Sequence, residues 1–127
     1  MITETKYFTP LRANQTLPLV RKIIRDILDT STEVIDSPDK FNEEGGYKEE
    51  VRKKIDEIFG FIKELEEIGC YYKDYNFTVG LVDFPAIIDG HEVFLCWRSD
   101  EAEVEYYHSV EKGYVDRKPI PVEYLNE

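Results

Sequence analysis

Basic residues are scarce in this sequence, and it has no long apolar stretch. The chain carries 16 Lys and Arg residues against 27 Asp and Glu residues, a formal net charge of -11. Such a surface repels phosphate backbones and anionic lipids, which bind through Lys and Arg contacts. No apolar run approaches the roughly 20 residues of a membrane span, and the first residues lack the apolar core of a signal peptide. We therefore expect a cytoplasmic protein that binds neither nucleic acid nor membrane.

Cysteine is also nearly absent. The two cysteines, Cys70 and Cys96, form neither a disulfide framework nor a paired metal-binding knuckle, as is typical of a reducing compartment. Hydrophobic residues nevertheless make up 42% and aromatic residues 13% of the 127 residues, enough for one core of ordinary size. The sequence therefore predicts a single domain over residues 1–127, with no cofactor.

Two amphipathic helices are predicted in the first half of the chain. Thr9 is a capping residue directly ahead of Pro10, which suits the first helical turn. A second apolar stripe at helical spacing covers about residues 47–68 and ends at Gly69, a favoured helix stop. Because a loop joins the two helices, we expect an antiparallel helical hairpin over about residues 9–69.

An antiparallel sheet is predicted over about residues 77–110. Asp89-Gly90 lies between two strand-like segments and favours a type I′ hairpin turn. Counting back from this turn places Asp83 opposite Cys96. The overall prediction is an α+β fold in which the helical hairpin packs on this sheet.

The third strand is predicted from a second reversal near residues 99–102. That reversal would place Leu95 opposite Tyr106 and complete a meander of about three strands. Pro85 lacks an N–H for a second neighbour, so the first strand is expected at the sheet edge. The apolar tail of residues 111–127 is expected to pack along a surface.

Polar residues collect on the sheet face that the helices leave uncovered. The candidate cluster on that face is Asp83, Cys96, Arg98, Glu103 and Glu105. A guanidinium among carboxylates either binds a planar anion bidentately or forms a structural ion-pair network. The structural interpretation is favoured because such networks are common.

Neither cysteine is assigned a catalytic role. Cys96 would need a cation or a helix N-terminus to stabilise its thiolate, and no histidine is expected on its face. A buried cysteine used as a small hydrophobic residue is the favoured interpretation. Cys70 follows a helix C-terminus, whose partial negative charge disfavours a thiolate.

The two histidines, His91 and His108, are weaker candidates. The predicted register places both near the rim of the core-facing side, diagonal to each other and roughly 7–8 Å apart at Cα. A zinc site needs three or four ligands, and no third ligand is evident beside them. No metal site is therefore predicted.

A set of short motifs extends over nearly the whole chain. They are Tyr7-Phe8-Thr9, Ala13-Asn14, Leu17-Pro18, GLVDFPA from Gly80, Asp89-Gly90, LCWR from Leu95, Tyr107-His108 and Gly113. Together they resemble a prokaryotic family of unknown function, DUF2203. The resemblance implies a single cytoplasmic domain with a helical hairpin ahead of a sheet, and it implies no activity.

Two functions are compatible with these features. The favoured one is a non-catalytic protein-interaction module, including as a homodimer, because no acid–base or nucleophile constellation is evident. The alternative is a small anionic-ligand-binding protein or enzyme on the exposed sheet face. There, Arg98 would clamp the anion, Asp83 would orient it or act as a base, and Glu105 or His108 would assist.

Overall fold

Two helices and a five-stranded antiparallel sheet make up the computed structural model, which describes residues 4–126. The strands follow chain order across the sheet, β1-β2-β3-β4-β5, so the predicted α+β meander is confirmed. The elements are α1 Pro10–Ile35, α2 Glu49–Ile68, β1 Tyr71–Tyr72, β2 Leu81–Ile88, β3 His91–Arg98, β4 Tyr106–Ser109 and β5 Lys118–Pro119. None of the helices in residues 4–126 has the length and hydrophobicity that spanning a bilayer requires.

The predicted helix ends are set by their caps. Thr9 accepts a hydrogen bond from the backbone N–H of Arg12 at 3.1 Å, with Pro10 in the first turn of α1. Gly69 ends α2 with a φ of 111°, and its N–H donates to the carbonyls of Leu65 and Glu66. Both helices contribute buried side chains to a single core on one face of the sheet.

The prediction of about three strands is wrong, because two more strands flank the meander. Each added strand has only two residues, too few to show an alternating pattern. The prediction that β2 lies at the edge is also wrong, since β1 pairs with it at Val82 and Asp83. Pro85 lies beyond β1, and its carbonyl instead accepts the N–H of Phe8 at 2.7 Å, so its missing N–H breaks no ladder bond.

The β2–β3 register is as predicted, and the β3–β4 register is not. Asp83 lies opposite Cys96, and the turn residues Asp89 and Gly90 both have the positive φ that a type I′ turn needs. Leu95, however, lies opposite Tyr107 rather than Tyr106. A shift of one residue moves every side chain of β4 to the other face of the sheet.

The shift arises in the connection between β3 and β4. The side-chain amide of Asn14 on α1 accepts the N–H of Val104 at 2.7 Å and donates to its carbonyl at 3.3 Å. The indole N–H of Trp97 donates to the carbonyl of Glu101 at 3.0 Å. A tight turn does follow β3, because the N–H of Glu101 donates to the carbonyl of Arg98 at 2.9 Å. Residues 101–105 then lie outside any strand, so β4 begins only at Tyr106.

Gly80 allows α1 to approach the start of β2. A Cβ built there would lie 2.3 Å from Cγ2 of Ile24 and 3.0 Å from Cβ of Ser99. We expect Gly80→Ala to lower the free energy of unfolding by about 1–3 kcal/mol, the usual cost of overpacking a core. Urea unfolding measures the change, with Gly113→Ala as control because a Cβ there meets nothing within 4 Å. Equal stabilities of the two variants would contradict this close approach.

Candidate metal centre

Three side chains from three neighbouring strands converge on the sheet face that does not carry the main core. Asp83 lies on β2, directly opposite Cys96 on β3, and His108 lies diagonally across on β4, opposite Phe94. All three residues are buried, with exposed fractions of 4%, 1% and 4%. One ligand atom from each, a carboxylate oxygen, Sγ and a ring nitrogen, lies within 4.8 Å of the others.

The hydrogen bonds of His108 determine which of its nitrogens faces the cluster. Nδ1 lies 2.8 Å from the carbonyl oxygen of Ser109, which can only accept, so Nδ1 carries a hydrogen. Nε2 lies 3.1 Å from both carboxylate oxygens of Asp83. In neutral imidazole Nε2 would then hold a lone pair, and a lone pair facing a carboxylate is repulsive. The contact therefore requires either a hydrogen shared between Asp83 and Nε2 or a metal ion between the two groups.

Burial dominates the electrostatics of the other two groups. It raises the pKa of Asp83 above its ordinary value, although the charge and hydrogen bond of His108 and the charge of Lys73 act in the opposite direction. Burial also raises the pKa of Cys96 to about 12, with a further increase from Asp83 and an opposing effect from Arg117. Cys96 is therefore a neutral thiol at neutral pH unless a metal ion displaces its proton.

Arg117 lies over β3 and β4 beside the three side chains. Its guanidinium makes a bidentate pair with Glu101, at 2.8 Å to Oε1 and 2.5 Å to Oε2. The same group lies 4.2 Å from the ring centroid of Tyr106 and 4.4 Å from that of Tyr114. Its Nη1 is 3.5 Å from the carbonyl oxygen of Cys96. This arginine was not a sequence candidate, because only the tail's fold brings it to the sheet.

The other predicted cluster members do not meet at this point. Arg98 donates to the hydroxyl of Tyr114 at 2.8 Å and lies 3.2 Å from a carboxylate oxygen of Asp100. Within residues 4–126, no ion pair joins Arg98 to Asp83. Glu103 and Glu105 are exposed and form no ion pair in the described part of the chain. Glu101, which was not a candidate, pairs with Arg117.

The expectation that both histidines share the core-facing side is wrong for His108. The one-residue shift of β4 places His108 on the face of Asp83 and Cys96, whereas His91 is exposed at the start of β3. The predicted register placed His108 on the opposite face from Asp83 and Cys96, so these two ligands were not expected beside it. A predicted register that paired Leu95 with Tyr107 would have placed His108 beside Asp83 and Cys96.

One cavity touches only His108 among these three ligands. It has a volume of about 460 Å³ and lies at one end of the sheet, where Val93, Tyr107 and exposed His91 line it. It touches His108 but neither Asp83 nor Cys96. The cluster is thus a buried set of oxygen, sulfur and nitrogen donors, of which only His108 borders this cavity.

Comparison with known proteins identifies a family for this chain. The model of a family described as "Uncharacterized conserved protein (DUF2203)" matches residues 6–120, a span that includes Asp83, Cys96 and His108. No curated protein and no solved structure matches the chain.

Proposed function

The chain belongs to the DUF2203 family, and from its buried cluster we propose that it binds a divalent transition metal ion through Asp83, Cys96 and His108. The observation that carries the proposal is the contact of Nε2 of His108 with both oxygens of Asp83 at 3.1 Å, beside the Cys96 thiol. Two potential anions and a neutral imidazole would neutralise a divalent cation within a buried site.

The donor set indicates which metals fit. A thiolate with an imidazole and a carboxylate suits zinc and its neighbours, whereas magnesium and calcium favour oxygen ligands. Bond lengths of about 2.0–2.3 Å around tetrahedral zinc place ligand atoms roughly 3.3–3.6 Å apart. The three atoms here lie within 4.8 Å of one another, so small side-chain rotations bring them to that spacing. The Ser109 carbonyl already orients the imidazole, as outer partners do in zinc sites.

Metal titration of the wild-type protein tests this proposal. Protein stripped with a chelator is expected to take up one zinc or cobalt ion per chain and to unfold at a higher temperature. At a free metal concentration one hundred times Kd, the gain in stability is about 2.7 kcal/mol. Cobalt bound to Cys96 adds a sulfur-to-metal absorption band, while magnesium is expected to have no effect. A chain that binds neither zinc nor cobalt would refute the proposal.

A protein-interaction module, including the homodimeric form, is a second proposal. Its support is Phe59 in the middle of α2, which belongs to the apolar stripe of that helix yet is 60% exposed. Light scattering that finds only a monomer, with no co-purifying partner, would count against it. We do not propose that Arg98 binds an anion, because its guanidinium already contacts Tyr114 and Asp100.

A further inference from the structure

The metal ligands are too deeply buried to exchange an ion in the closed structure. Asp83, Cys96 and His108 each expose at most 4% of their surface. Exchange of a bound ion with solvent therefore requires part of the protein to move aside. Backbone hydrogen bonds join the strands of the sheet, with eight residue pairs between β2 and β3. The part that moves must therefore be a segment that packs over this face of the sheet.

The tail segment Gly113–Ile120 provides that cover. It contains one turn of 3-10 helix, Tyr114–Asp116, followed by the two-residue strand β5. Arg117 reaches from this segment over the paired residues Cys96 and Tyr106. Its side chain is 14% exposed, so it shields the sulfur side of the cluster from water.

The rest of the segment is lightly held. β5 pairs with β4 through only two residues, one of which is Pro119, which has no N–H to donate. Val115 is almost fully exposed. Beyond these contacts, Ile120 donates to the Glu105 carbonyl and packs in the core. Two side-chain contacts hold the segment: the bidentate pair of Arg117 with Glu101, and the hydrogen bond that Arg98 donates to Tyr114 at 2.8 Å. The bidentate pair joins two opposite charges and is the stronger of the two.

We propose that the Arg117–Glu101 pair is a latch that governs how fast metal leaves and enters the Asp83–Cys96–His108 centre. This inference rests on the proposed metal binding. The latch is expected to change exchange rates and to leave the stoichiometry at one, because neither residue is a ligand. Opening the segment Gly113–Ile120 uncovers Cys96, and reclosing it shields the bound ion again.

A chelator challenge of the cobalt-loaded protein measures the exchange rate. Glu101→Gln removes the charge that pairs with Arg117 but keeps an oxygen to accept the backbone N–H of Arg98. Release of cobalt to excess chelator is expected to be about tenfold faster than in wild type, since a charged hydrogen-bonded pair is lost. Glu105→Gln is the matched control, because it removes the same charge from an exposed position nearby.

The outcomes separate the latch from the metal site. Equal release rates for Glu101→Gln and Glu105→Gln, each loaded with one cobalt, would overturn the latch and leave metal binding intact. A wild-type chain that takes up no metal would overturn both. If Glu101→Gln does not fold, Arg117→Lys replaces it, because lysine keeps the charge but loses the planar fork. The same acceleration is expected, and an unchanged rate would refute the latch.

Discussion

Cys96→Ala is expected to weaken the affinity for zinc by more than about a hundredfold. This exceeds the 10–100-fold loss of metal affinity that follows removal of a residue hydrogen-bonded to a ligand. Alanine offers no donor, and the two remaining ligands, Asp83 and His108, leave a divalent ion half-coordinated. In cobalt titrations the sulfur-to-metal absorption band is expected to disappear. Isothermal titration with zinc gives the loss of affinity directly.

Cys70→Ala is the control for this variant. Cys70 is also fully buried, and burial raises the pKa of its thiol to about 12 as well. Its sulfur contacts the carbonyl of Leu65 at the end of α2, away from the three ligands. The two variants therefore remove the same atom from similar surroundings, and only Cys96→Ala is expected to lose the metal. Retention of wild-type affinity by Cys96→Ala would refute the ligand assignment.

His108→Leu is expected to destabilise the metal-free protein by about 1–3 kcal/mol, the cost of leaving a buried polar group without its hydrogen-bond partner. Asp83 would remain buried without the group that lies 3.1 Å from both its oxygens. Urea unfolding in the presence of a chelator measures the loss. His91→Leu is the control, since His91 is exposed and its replacement is expected to change stability by at most about 0.5 kcal/mol.

The double variant Asp83→Leu with His108→Leu distinguishes a structural pair from a functional one. Replacing both members of a buried pair by apolar residues is often neutral or stabilising. We expect the double variant to regain most of the stability lost by His108→Leu and to bind no zinc. A double variant as unstable as the single one would show that the pair serves the fold. A small loss in His108→Leu, equal to that of His91→Leu, would contradict the buried hydrogen bond between His108 and Asp83.

Local signals were sufficient to predict the helices and the first hairpin. Thr9 and Gly69 form hydrogen bonds to their own neighbours in sequence, and the ring of Pro10 fixes a helical φ, so these caps can be predicted from the sequence. Asp89 and Gly90 likewise set the β2–β3 register by their own backbone angles. Asp83 and Cys96 were placed opposite each other on that basis alone.

Long-range contacts decided what the sequence could not predict. The connection that precedes β4 is held at Val104 by the amide of Asn14, which lies ninety residues earlier in the chain. Nothing in residues 99–105 indicates that bond. The predicted register of β4 was therefore wrong by one residue and placed His108 on the other face of the sheet. The strands β1 and β5 exist only because longer neighbours pair with them.

The register of β4 has a consequence for folding fidelity. Strands that slip by one residue keep most of their ladder bonds, so backbone pairing alone discriminates poorly between the native and slipped arrangements. Only the native arrangement brings His108 to Asp83 and Cys96, because a slipped β4 turns its imidazole toward the helices. An ion that needs all three donors would bind correctly paired molecules alone. Bound metal would thus stabilise only the chains whose β4 has the native register, and it would distinguish them from chains in which β4 has slipped.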